Sequence, residues 1–147
     1  MRSLNEYITV DESRQDNLRP TSKKELKELI NQRIEEQGPR CDLNDIDVSR
    51  ITDMSHLFED TNFNGDISKW DVSRVVNMEY MFWCSDFNGD ISKWDVSNVK
   101  DMGSMFKYSS FKGNIDKWNV SNIVDKTWMF YRSPLDGREP EWWGSKD

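Results

Sequence analysis

Histidine, cysteine and long apolar runs are scarce in this sequence. One histidine and two cysteines occur in 147 residues, which leaves no zinc-type spacing and no disulfide framework. Cys41 and Cys84 read as free thiols and His56 as a surface side chain. No run approaches the roughly 20 apolar residues of a membrane-spanning helix. Met1–Pro20 is polar and has no apolar signal-peptide core, so the chain as written is expected to be soluble and cytoplasmic, or at the cell surface or secreted where a signal was trimmed.

Basic residues are also in the minority. Lys and Arg number 20 against 27 Asp and Glu, a net charge of −7. Binding to nucleic acid or an anionic membrane needs basic patches, so neither is expected as a direct partner. There is no glycine-rich phosphate loop, no EF-hand spacing and no glycine-dense calcium coil. Catalysis, a cofactor and a metal are therefore not expected.

What is present is a repeat. "FNGDISKWDVS" stands at Phe63–Ser73 and again, unchanged, at Phe87–Ser97. Ile46, Trp70, Trp94, Trp118 and Trp142 are each 24 residues apart. The blocks Ile46–Lys69, Trp70–Lys93, Trp94–Lys117 and Trp118–Glu141 align without a gap. Val48, Val72, Val96 and Val120 form one column. Phe58, Phe82, Phe106 and Phe130 form another, and Phe63, Phe87, Phe111 and Leu135 a third. A unit this short cannot close a core alone, so the units must stack and share one.

The spacing Ile67, Trp70, Val72, Val75 matches a leucine-rich repeat. It predicts a short strand at Lys69–Ser73 with Trp70 and Val72 inward, then a helical or 3₁₀ segment through Val75, Met78, Met81 and Phe82. Asp53, Asn77, Asp101 and Asp125 stand as caps of that segment. Gly65, Gly89, Gly113 and Gly137 are read as positive-φ turn residues.

The fold class expected is an α/β repeat solenoid: a leucine-rich-repeat-like right-handed coil of about four 24-residue units with short parallel strands. Residues 1–20 form a polar segment in which "EYITV" is a candidate extra strand. Residues 21–45 hold a capping helix, started by the Ser22–Glu25 box and stopped at Gly38 and Pro39, and the entry to the first strand. The repeats fill 46–141, and a Trp-rich cap takes 142–147.

The phrases "WDVSNVKDMGSMF" and "FNGDISKWDVS" resemble the BspA-like leucine-rich-repeat surface proteins, a short repeat also found in mycoplasma lipoproteins. The resemblance runs from Cys41 to about Trp142. It implies a leucine-rich-repeat-like solenoid, and for the better-known members a cell-surface adhesin that binds host proteins.

Two surfaces are candidates for a partner. Side chains after each cap vary between copies and include exposed aromatics, the types enriched at interface hot spots. Tyr80, Trp83, Lys107, Tyr108, Trp128, Tyr131 and Arg132 make the first surface; the competing reading is that these aromatics only shield the convex side or pack under the caps. The second is the predicted strand face, Lys69, Asp71, Lys93, Asp95 and Lys117, where the Lys column offsets repulsion within the Asp column. The function expected is a non-enzymatic, monomeric protein-binding module. The alternative is an acidic inhibitor or decoy of a nucleic-acid-binding protein, phage- or virus-encoded for example, with adhesion as a variant if the chain is exported.

Overall fold

The computed structural model describes residues 18–144. Helix α1, Lys23–Gln37, is capped by Ser22, whose hydroxyl accepts the Glu25 N–H, and it ends at Gly38 with φ of 89°. Glu25 in turn accepts the Thr21 N–H at 2.9 Å, so the Ser–Glu start signal functions one residue out of the usual box register. Leu26 and Ile30 are buried against the first repeat, while Leu29 and Ile34 pack at its edge. A one-turn 3₁₀ helix, Glu141–Trp143, closes the other end. The candidate strand "EYITV" lies outside the described residues.

Between these ends the chain is a stack of 24-residue windings, and it is built from turns. Among the described residues no strand forms; parallel pairing is limited to isolated bridges such as Asp53 with Asn77 and Asn77 with Asp101. The α/β leucine-rich-repeat solenoid is thereby contradicted. Lys69–Ser73 is no strand, because turns flank it: the N–H of Trp70 bonds the carbonyl of Ile67, and that of Val75 bonds Val72. Three-residue spacing of apolar positions here marks i to i+3 turns whose ends both point inward.

Aspartate makes these turns. Asp66, Asp71 and Asn77 each accept the backbone N–H two residues on, from Ser68, Ser73 and Glu79. The same three Asx turns recur in the neighbouring windings, for example at Asp90, Asp95 and Asp101. The cap column thus caps turns, and the helical segment expected over Val75–Phe82 is absent. Left-handed residues break it in every copy: His56, Tyr80, Ser104 and Trp128 in one column, Asp60, Cys84, Tyr108 and Arg132 in another, with φ of 52–61°. Such residues end any regular helix.

The glycines that recur between copies serve a different purpose from the one expected. Gly65, Gly89 and Gly113 are not in the positive-φ region; only Gly137 of that column is. A Cβ on Gly65 would lie 1.9 Å from the Cys41 carbonyl oxygen, and one on Gly89 or Gly113 would lie 2.7 Å from the ring of Phe87 or Phe111. Glycine is required there by close approach, not by a turn.

Inside, equivalent side chains lie over one another. Phe58, Phe82, Phe106 and Phe130 stack with ring centroids 5.5, 5.5 and 5.9 Å apart and planes within 4° of parallel. A second file, Phe63, Phe87 and Phe111, runs beside it at 6.0 and 6.3 Å. Each Trp of the 24-residue column donates its indole N–H to a carbonyl 27 residues back, Trp70 to Leu43, Trp94 to Ile67, Trp118 to Ile91 and Trp142 to Ile115. A buried indole needs such a partner, and the repeat supplies it every time.

Backbone bonds clamp the windings with one polarity along the arc 54–60 and its copies. The N–H groups of Met54, His56, Phe58 and Asp60 donate to the carbonyls of Asn77, Glu79, Met81 and Trp83 at 2.7–3.0 Å. Met78, Tyr80, Phe82 and Cys84 donate onward to the third winding, and Met102, Ser104, Phe106 and Tyr108 to Asp125, Thr127, Met129 and Tyr131. Four files of aligned peptide groups result, their carbonyls toward α1 and their N–H groups toward the C-terminal end. At the flank the direction reverses, Val76 donating to Thr52, Lys100 to Val76 and Val124 to Lys100.

Candidate interaction surface

Most left-handed and turn positions of the arc, Ser104 excepted, hold their side chains outward, and there the variable aromatics gather. Trp83 meets Tyr108 edge-on at 6.4 Å, Tyr108 meets Tyr131 at 5.8 Å, and Tyr131 meets Trp128 at 4.9 Å. The Lys107 ammonium lies 5.5–5.6 Å from the ring centres of Tyr108, Trp128 and Tyr131. Arg132 stacks over Tyr131 and donates from Nε to its hydroxyl at 3.2 Å. Edge-to-face rings around a central cation prearrange one another, each such contact contributing about 0.5–1 kcal/mol at an exposed site. Trp128 is 57% exposed and Tyr108 43%, so the cluster faces solvent.

Six of the seven side chains expected on this surface therefore meet in one patch. Tyr80 does not. Its ring stacks on His56 at 4.9 Å, and the buried Ser104 stands between it and Trp128 in their shared column. His56 also contacts Glu59 through Nδ1. Nothing but its place beside Tyr80 in the column, 24 residues apart, could have signalled that pair.

On the second candidate surface Lys69, Asp71, Lys93, Asp95 and Lys117 are all exposed. Among the described residues these lysines and aspartates form no ion pair. The aspartates hold turns instead: the Ser97 hydroxyl bonds Asp95 at 2.6 Å and the Ser97 N–H bonds it at 3.1 Å. Both bonds favour the carboxylate, hydroxyl first, and put Asp95 below the usual carboxylate range. The aspartates of this face are engaged in their own turns, while its lysines stay exposed.

One feature lay beyond sequence reasoning. A cleft of about 320 Å³ opens at the C-terminal end, between Trp128, Phe130 and Tyr131 on one side and Asp136, Gly137, Glu139 and Trp143 on the other. It lies between the last described winding and the 3₁₀ turn that follows it. Among the described residues no group of three or more His, Cys, Asp or Glu is placed to hold a metal ion, and no helix is long and apolar enough to cross a membrane.

A family model described as "Mycoplasma protein of unknown function, DUF285" matches residues 25–142. The chain belongs to that family. The match takes in helix α1 from Glu25 onward as well as the windings. No curated protein and no solved structure matches the chain.

Proposed function

We propose that this chain is a non-enzymatic binding module that captures a protein through the aromatic patch of Trp83, Lys107, Tyr108, Trp128, Tyr131 and Arg132. The observation that carries the reading is the exposure of Trp128 and Tyr108, on a backbone pinned by left-handed residues and inter-winding bonds. Large rings that are already ordered lose little entropy on binding, which is how hot spots work. The likeness of the repeat phrases to the BspA-like surface proteins, whose better-known members bind host proteins, points the same way.

The test compares the chain with the double variant Trp83→Ala/Tyr108→Ala in pull-downs from extracts of the source organism and its surroundings. Proteins retained by the parent and lost by the variant, with the thermal midpoint little changed, support the reading. An identical set of captured proteins sinks it.

A further inference from the structure

Among the described residues the four files of peptide groups end with the N–H groups of Lys126, Trp128, Phe130 and Arg132. The Arg132 N–H is taken by the Asp136 carboxylate at 2.9 Å. Those of Lys126, Trp128 and Phe130 have no acceptor among the described residues. At the flank, Val124 is 85% exposed and its carbonyl, the equivalent of Val76 and Lys100 in the earlier windings, has no donor among the described residues. The cleft opens over this edge.

We infer that this edge takes a peptide segment bearing a basic side chain, which adopts the turns of the arc to extend the stack and seats an apolar residue in the cleft. The inference rests on the reading of the chain as a protein-binding module and names a second mode of capture. Alternate carbonyls of the incoming segment meet the N–H groups of Lys126, Trp128 and Phe130, and one of its N–H groups meets the Val124 carbonyl. Main-chain pairing of this kind gives affinity while the pocket selects side chains.

The chemistry of the occupant follows from the charges around it. Aligned N–H groups alone attract anions, but the Asp136 and Glu139 carboxylates line the cleft and the whole chain carries −7. The nearby Lys126 ammonium is engaged by the Trp143 carbonyl and ring. Neutral carbonyls with a lysine or arginine beside them suit the site; a free anion does not. A second copy of the chain does not suit it either. Two C-terminal ends would oppose donor to donor along the arc, and α1 covers the opposite end, Lys27 bonding the Leu57 carbonyl and Lys23 bonding Ser55.

The probe is the N-acetylated peptide KDMGSMFKYS, the sequence of residues 100–109, whose carbonyls already serve the winding before it in this stack. It is titrated to about 1 mM against the ¹⁵N-labelled chain. The expected result is saturable downfield movement of the Trp128 and Phe130 amides, with affinity weakened at least about threefold by Glu139→Gln or by a peptide carrying Glu in place of its second lysine. Unmoved Trp128 and Phe130 amides overturn the inference, as do shifts centred on Trp83 and Tyr108, which would leave the aromatic-patch reading standing. Concentration-dependent dimerisation that protects the same amides without peptide overturns it in favour of a second copy. Loss of the pull-down contrast with these amide shifts intact would instead remove only the patch.

Discussion

The two ends of the stack are finished differently. At the first winding helix α1 is laid across the open core: Leu26 and Ile30 are buried on it, Arg33 grips Asp45 with both guanidinium nitrogens at 2.8 and 3.1 Å, and Arg33 also bonds the Asp42 carbonyl. Lys23 and Lys27 reach the carbonyl-bearing end of the peptide files, where positive charge is favoured. At the last winding the cover is one 3₁₀ turn, with Trp143 edge-on to Phe130 at 5.0 Å, and one carboxylate, Asp136, on one of four N–H groups. A stack of identical turns has no natural end. One end here is covered by a helix, and the other has N–H groups with no acceptor among the described residues, beside an apolar cleft.

The largest effect that sharpens this contrast is in the phenylalanine file. Phe82 is enclosed by Phe58, Phe87 and Phe106, so Phe82→Ala is expected to cost about 3–5 kcal/mol in denaturant unfolding. Phe130, with Phe106 on one side and the Trp pair on the other, should cost less when truncated. Equal losses would mean that the final winding is as tightly held as the middle.

Glycine offers a second contrast. Gly65→Ala drives a Cβ into the Cys41 carbonyl and is expected to lose about 1–3 kcal/mol or more through overpacking and backbone shift. Gly137→Ala meets nothing within 4 Å but must hold φ of 84°, a cost of about 1–2 kcal/mol. Thermal melts of the two variants check the order; reversal would place the tight contact at the wrong end.

These two positions also show how far the residues could be read without coordinates. The 24-residue register, the phenylalanine file and the capping helix were legible, because identical side chains at identical spacing must stack and because Ser22 with Glu25 starts a helix. The path of the backbone was not. Trp70 and Val72 look like one face of a strand, yet the Asp-x-Ser pairs at Asp66 and Asp71 are turn signals, and they decide the local geometry. Tyr80 and Cys84 carry no mark of a left-handed conformation, since long-range bonds to Gly103 and Lys107 impose it. Most of the aromatic patch was foreseeable from variation between copies. The C-terminal cleft was not, because it depends on how the chain from Asp136 to Trp143 leaves the repeat.

The smallest effect concerns acid. Asp90 is held below the usual carboxylate range by the Ser92 hydroxyl and N–H, and Asp125 by the Thr127 N–H and hydroxyl. A carboxylate whose folded value is depressed stabilises above its unfolded value and loses that contribution as pH falls through the folded one. Stability should therefore be level near neutrality and decline below about pH 4. Asp90→Asn keeps the turn but not the charge, and its melts should show a slightly shallower decline.

Amide hydrogen exchange at Ser104 and Trp128 compares a filled and an open position of one file, since the two residues lie one winding apart. Ser104 donates to Thr127 at 2.8 Å, whereas Trp128 has no acceptor among the described residues. Exchange at Ser104 is expected close to the global unfolding limit, and exchange at Trp128 at least about 100-fold faster. Equal protection at both would contradict an aligned file that ends open.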